Sequence, residues 1–295
     1  MPSVATAAYR ASVLGALLAS SPVLTGQEKD TTAIYESFPA DRFPIGSSPD
    51  GVGESGSGFS SPWTFTADGE GAFVEIIAGL EMPGLRTEGA AVLITAEEAG
   101  GPTRARLERR ISGETPPNGS LWGSFVVQQM SEKYLTGGDG RFTVTGVRFG
   151  EKDREFFVTP KNGSAWKQAF SAEAGLFKEP TVSEEFDLPP GTPHLVVVAF
   201  ENINFGSYTS NEAQVTLWIL SPEDVAALGG QVTVAALDQH HRLRVQKAVT
   251  SKWGVGGLEP NMPFRLIVEQ GTAAFDEIRW GSSLKDVLVL APAAP

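Results

Sequence analysis

Carboxylates at alternating positions are the first feature of the chain with chemistry in it. Glu151-Lys152-Asp153-Arg154-Glu155 sets three acids two residues apart, and strand side chains two apart share a face. Retaining hydrolysis of a glycosidic bond needs two carboxyls roughly 5 Å apart, which one strand face can supply. The surroundings argue for a plainer role. Gly150-Glu151-Lys152-Asp153 lies between two apolar runs, as a charged hairpin tip does, so a solvated turn is expected.

A second acid stands where charge is unusual. In Ala273-Ala274-Phe275-Asp276-Glu277-Ile278-Arg279-Trp280-Gly281, strand alternation puts Asp276, Ile278 and Trp280 on one face and Phe275, Glu277 and Arg279 on the other. An acid in line with two apolar residues has two readings. Asp276 is an oxygen ligand for calcium or an acceptor for sugar hydroxyls, or else it is a structural acid satisfied by backbone groups. Just beyond, Ser283-Leu284-Lys285-Asp286-Val287 reads as a helical turn capped by Ser283, with Asp286 reaching back.

The glycine-rich run Asp50-Gly51-Val52-Gly53-Glu54-Ser55-Gly56-Ser57-Gly58 offers oxygen donors from Asp50 and Glu54 that suit calcium. It does not fit a phosphate loop, which needs a following helix and usually a lysine. Phe59 to Thr66 reads instead as another extended piece, and the glycines as a flexible connection. Histidine chemistry is sparse. His240 and His241 are adjacent, so on a strand they point to opposite faces, and no Gly-x-Ser-x-Gly elbow accompanies His194. Of the six tryptophans, Trp122, Trp218 and Trp280 sit in apolar strands and belong to the core. Trp166 and Trp253 sit in polar, loop-like stretches, where an exposed indole stacks on a sugar ring or a partner surface. Asn118-Gly119-Ser120 and Asn162-Gly163-Ser164 match the glycosylation pattern and also read as Asn-Gly turns, which is the better account.

These residues are positioned by many short strands. The 295-residue chain carries 33 Gly and 20 Pro, so turns are frequent, and 41% hydrophobic residues suffice for a sizeable core. The absence of cysteine excludes disulfides, thiolate zinc sites and a cysteine nucleophile. A net charge of −12 disfavours nucleic acid and anionic membranes as partners. Residues 1–26 have the marks of an export signal: Arg10, the apolar run Ala11 to Ala19, then small residues around Ser20, Ser21 and Gly26. Ser20, Ser21 and Pro22 stop that run short of a transmembrane span, and no later segment could span a bilayer.

Beyond Thr31 the pattern predicts strands over Ala33–Phe38, Ala72–Ala78, Ala90–Thr95, Thr103–Ile111, Leu121–Gln129, Arg141–Phe149, Glu155–Thr159, His194–Phe200, Ala213–Leu220, Gln231–Ala236, Arg242–Val249, Phe264–Gln270 and Phe275–Trp280. Leu195 to Phe200 is apolar on both faces, as suits a central strand covered on both sides. One helix is expected from Ser221-Pro222-Glu223-Asp224, with Ser221 at N-cap and Pro222 at N1. The expectation is all-β: a two-sheet antiparallel sandwich, one domain over 27–295.

Several short motifs resemble one family. Tyr35-Glu36-Ser37-Phe38, the glycine-rich run into Gly58-Phe59 and Trp63, Leu121-Trp122-Gly123-Ser124-Phe125, Thr216 to Pro222, and Phe275 to Gly281 followed by Val287 are similar to concanavalin A-like, laminin-G-like jelly-roll proteins of the exported planctomycete–verrucomicrobial type. That resemblance spans about Tyr35 to Val287. It implies a jelly-roll sandwich whose concave face or rim loops bind glycans, in some cases beside calcium. Many such proteins carry a C-terminal sorting tail, whereas this chain ends Ala291-Pro292-Ala293-Ala294-Pro295, so free secretion or periplasmic residence is expected. Jelly-roll glucanases of the laminarinase type place apolar residues between their acids; Lys152 and Arg154 stand there in this chain.

The expected function is therefore an exported, non-catalytic binding module for polysaccharide or a cell-surface protein. Its expected contacts are Trp166, Trp253 and Asp276, with calcium at Asp276 and Asp50. A glycoside hydrolase or polysaccharide lyase on the same fold is the competing class, and Glu151, Asp153 and Glu155 in a cleft would mark it. A structural surface protein without a small-ligand site is the third.

Overall fold

A computed structural model describes residues 34–53, 56–96, 103–112, 119–130, 143–149, 156–163, 167–174, 191–203, 213–249, 260–269 and 271–292. Every pairing among its strands is antiparallel. One sheet runs β12 (Leu243–Val249), β11 (Ala213–Leu220), β10 (Pro193–Ile203), β6 (Gly119–Gln129), β14 (Gly271–Gly281), β4 (Ala90–Ala96), β3 (Phe73–Ala78), with β1 (Ile34–Glu36) also paired to β14. The other runs β2 (Thr64–Asp68), β5 (Arg104–Arg110), β13 (Pro263–Glu269), β7 (Thr143–Phe149), β8 (Phe156–Gly163), β9 (Lys167–Ala174). The all-β, two-sheet antiparallel sandwich expected from the sequence is thus the fold.

Two apolar layers result. Between the sheets, Ile76, Val92, Phe125, Val196, Val198, Leu217, Leu107, Phe264, Leu266 and Phe275 are buried together with Trp63 and Trp280. A second layer coats the outer face of the eight-stranded sheet, where Val126, Leu195, Val197, Trp218 and Leu220 meet Val225, Leu237, Leu284 and Val287. The continuous apolar run of β10 follows from this double coverage. Alternate residues, Val196 and Val198 against Leu195 and Val197, enter different layers. Trp122 stacks on Trp218 at 5.9 Å in the outer layer, so Trp122, Trp218 and Trp280 are core residues as expected.

The cover comes from short helices with readable caps. In α1 (Pro222–Ala227), Ser221 Oγ accepts from the Asp224 N–H and the Asp224 carboxylate accepts from the Ser221 N–H, a reciprocal capping box. In α3 (Leu284–Val287), Asp286 Oδ2 takes the N–H of Ser283 at 2.8 Å. The strand expected over Gln231–Ala236 is instead α2 (Val234–Gln239), capped by Thr233, whose side chain accepts from the Ala236 N–H. Val232 and Val234 alternate around Thr233 and mimic a strand. The cap and the Ala-Ala-Leu run decide for a helix that presses Ala236 and Leu237 into the outer layer. β9 had no counterpart in the sequence reading.

The phase of β14 also departs from expectation. Ala273, Phe275, Ile278 and Trp280 face the inter-sheet core, while Ala274 joins the outer layer. Inward residues two apart before Asp276 and again after Glu277 require one extra residue between them. It is Glu277, at φ 48, where the register with β6 shifts between Asp276 and Arg279. This β-bulge separates Asp276 from Ile278 and Trp280. It lies where β14 stops pairing with β4, at Phe275, and starts pairing with β1, at Ile278. Opposite, Gly123 leaves room for Trp280, since a Cβ there would stand 2.5 Å from the indole.

Candidate functional site

The bulge gathers charge on the outer side of the eight-stranded sheet. Asp276 is fully buried, and its oxygens accept backbone N–H groups: Leu80 to Oδ2 and Glu277 to Oδ1, both at 2.8 Å. Burial pushes its carboxyl up to about 8; the Leu80 amide pulls the other way, and the neighbouring Glu277 charge raises it further. Glu277 is raised too, chiefly by burial. Its Oε1 takes the Glu88 N–H, and its Oε2 takes Arg279 Nη2 at 2.8 Å and the Tyr35 hydroxyl at 3.4 Å. The Arg279 guanidinium stands 3.8 Å from the Tyr35 ring centroid, and burial first of all pushes the Tyr35 hydroxyl to about 12. The oxygens expected to face calcium or a sugar hydroxyl therefore serve the backbone, and Asp276 presents no surface to a ligand.

Asp50 is exposed at the start of the glycine-rich turn, and its Oδ1 accepts from the Phe65 N–H at 2.9 Å. Phe65 belongs to β2 of the six-stranded sheet and Asp276 to β14 of the other, so the fold does not bring the two expected calcium ligands together. Among the described residues no group of three or more His, Asp or Glu is placed to hold a metal. Trp166 and Trp253 lie outside the described residues. So do Glu151, Asp153 and Glu155. His240 caps the end of α2, and His241 Nδ1 lies 3.0 Å from the Leu237 carbonyl. His194 is buried, which lowers its pKa.

The opening motif, Glu36-x-Phe38 with Phe59-x-x-x-Trp63, turns out to be one cluster inside the sandwich. Glu36 Oε2 accepts from Arg109 Nη1 at 2.8 Å and from the Trp63 indole N–H at 3.3 Å, while Oε1 accepts the Phe38 N–H at 3.0 Å. Arg109 donates Nε–H to the Ser61 carbonyl at 2.8 Å and lies 4.4 Å over the Phe59 ring. Phe38 stacks on Trp63 at 5.8 Å. Side-chain exposure of the ion pair is 2% for Arg109 and 0% for Glu36. The motif is a structural clasp that fixes β1 and the glycine-rich connection to β5. Arg109 was legible in principle, because it continues the inward phase of Ala105 and Leu107.

Among the described residues, β2, β5 and β13 of the six-stranded sheet turn charged side chains outward. β5 turns Ala105, Leu107 and Arg109 inward and Arg104, Arg106, Glu108 and Arg110 outward. Cross-strand pairing sets Thr66 beside Arg106, Thr64 and Arg265 on either side of Glu108, and Asp68 and Glu269 on either side of Arg104. Arg106 Nη2 binds Asp68 at 2.8 Å, Arg265 Nε binds Glu108 at 2.6 Å, and Arg104 pairs with Glu269. The result is ordered rows of guanidinium, carboxylate and hydroxyl groups on rigid strands. Among the described residues, no helix packs on this face.

No protein-family model matches the chain, and no curated protein matches it. Solved structures similar to it include the binding domain of botulinum neurotoxin serotype D, at TM-score 0.43 and 8% identity over 88% of this chain and 50% of that one. The carbohydrate recognition domain of Emp46p in its metal-free form gives TM-score 0.41 and 7% identity over 77% and 89%. Arcelin-5, a lectin-like defense protein from Phaseolus vulgaris, gives TM-score 0.37 and 8% identity over 75% and 98%. The chain spans about half the length of the botulinum neurotoxin binding domain it matches.

Proposed function

We propose that the chain is an exported, non-catalytic module that binds polysaccharide through the outward face of its six-stranded sheet. The asymmetry of the sandwich carries this reading. Helices and loops build a second apolar layer on the eight-stranded sheet, whereas the six-stranded sheet turns rows of Arg, Glu, Asp and Thr side chains outward. Cross-strand ion pairs hold those side chains in fixed orientations, and preorganised polar groups on strands are what recognition of sugar hydroxyls requires. Trp166 and Trp253 are proposed as stacking contacts, and calcium is assigned to Asp50 in preference to the buried Asp276.

The test is binding of the purified chain to a panel of insoluble and soluble polysaccharides, with calcium and with chelator. Arg106→Ala and Arg265→Ala should each weaken retention at least tenfold while leaving the melting temperature within a few degrees. Trp166→Ala and Trp253→Ala should weaken it similarly. Retention of no polysaccharide, or retention indifferent to both arginines, overturns the assignment of the face. Release of new reducing ends from a bound polysaccharide would move the chain to the hydrolase class.

A further inference from the structure

Arg106 binds an acid that belongs to another row of the sheet. Cross-strand pairing sets Thr66, Arg106, Ile267 and Gly146 side by side, a row with no carboxylate in it. Asp68, which Arg106 Nη2 binds at 2.8 Å, stands opposite Arg104. Arg104 is paired with Glu269 on its other side. Glu108 is shared in the same way, by Arg265 Nε at 2.6 Å and Arg110 Nη2 at 3.3 Å. At the outward positions of β2, β5 and β13, the guanidiniums of Arg104, Arg106, Arg110 and Arg265 thus face the carboxylates of Asp68, Glu108 and Glu269. Cations outnumber acids there by one, on a chain whose net charge is −12.

The pairs also differ in firmness. The Glu269 side chain is 14% exposed, whereas that of Asp68 is 61% exposed, on the last residue of the edge strand β2. An ion pair as open as that of Arg106 with Asp68 is weak against water and salt, so another carboxylate can take the place of Asp68 without stripping a buried charge.

We propose, building on the reading that this face binds polysaccharide, that its ligand is a carboxylated polysaccharide whose uronate group displaces Asp68 from Arg106. The planar guanidinium fork matches a carboxylate with two parallel hydrogen bonds, and the side chain it already holds has that chemistry. Thr66, exposed and directly across the ladder, offers a hydroxyl to the sugar ring beside the bound carboxylate. Glu108 and Glu269 keep their partners and continue to orient the neighbouring arginines. The net negative charge of the whole chain repels a polyanion from the rest of the surface, which confines it to this face.

The test is the affinity of the full chain for polygalacturonate, in chelator and at fixed ionic strength, with its methyl ester as the neutral comparator. Wild type should bind the methyl ester about tenfold more weakly, the loss of a hydrogen-bonded charge. Asp68→Asn removes the competing carboxylate and should tighten binding of polygalacturonate, by up to about fivefold for so exposed a pair. Arg106→Lys keeps the charge without the fork and should weaken binding nearly as far as Arg106→Ala does. An Asp68→Asn variant that binds no more tightly than wild type, or an Arg106→Lys variant that binds equally well, overturns the displacement. Equal affinity for polygalacturonate and its methyl ester overturns the uronate assignment and leaves polysaccharide binding by the face standing. Affinity for no polysaccharide overturns both. Preference for dextran sulfate or a single-stranded oligonucleotide over polygalacturonate gives the face to a different polyanion and overturns the carboxylate.

Discussion

Removing Arg109 should damage the fold more than any surface substitution, and the structure says by how much. The Glu36 carboxylate is fully buried and accepts from Arg109, the Trp63 indole and the Phe38 amide. In Arg109→Met the methionine fills much of the stem volume over Phe59, but Glu36 loses the guanidinium that faces its charge. A buried charge stripped of its partner destabilises by about 3–5 kcal/mol. For a domain of this size that corresponds to a melting temperature lower by roughly 6–20 °C. Urea unfolding should show the loss in the midpoint with little change in m, because the surface exposed on unfolding is nearly the same. The companion variant decides the mechanism. Glu36→Leu/Arg109→Met replaces both charges with apolar groups, and such swaps are often close to neutral for buried ion pairs. The double variant should therefore be more stable than Arg109→Met alone. An Arg109→Met protein within about 1 kcal/mol of wild type, or a double variant less stable than the single, would refute the reasoning that Glu36 depends on Arg109 for its charge.

Three further outcomes follow from the geometry. Gly123→Ala places a Cβ 2.5 Å from the Trp280 ring; overpacking of this kind costs about 1–3 kcal/mol and should alter the near-ultraviolet circular dichroism of the indole. Thr233→Ala removes the side-chain acceptor for the Ala236 N–H and should cost about 1 kcal/mol by urea unfolding, with Thr233→Ser restoring most of it. Global stability should also carry the signature of Asp276. Its carboxyl is raised in the folded state to about 8 from 3.8, so the folded state binds more protons than the unfolded one between those values. Stability falls as pH rises through that window, by about 1.4 kcal/mol per unit at most, and is flat above it. Asp276→Asn measured at pH 5 and pH 8 should show a smaller difference than wild type.

The sequence disclosed the fold through features that are local. Strand alternation, Pro and Gly punctuation, and the Ser221 capping box each act within a few residues, and the two-sheet strand pattern and the capped helix follow from them. What escaped was set by distant partners. Thr233 becomes a cap because the chain there must cover Leu220 and Trp218, and short alternation alone reads as a strand. Arg109 was one of four arginines in a charged strand until Glu36, seventy-three positions away in sequence, drew it inside.

The bulge at Glu277 shows why the candidate site itself was the hardest part to read. Period-two counting assumes that every residue advances the strand equally, so one residue in the left-handed region inverts every assignment after it. Counting from Phe275 alone sends Glu277 and Arg279 to the core, while counting from Trp280 alone sends Asp276 there. Phe275 and Trp280 both face the core in the structure, and they are five positions apart. An odd separation between two inward aromatics on one strand is itself the sequence signal for a bulge. The same logic explains why acids sit there. A bulge leaves the backbone groups of neighbouring segments without ladder partners, and the Asp276 and Glu277 carboxylates accept the Leu80 and Glu88 N–H groups that β14 does not reach. The acids are thus the consequence of the strand switching from β4 to β1.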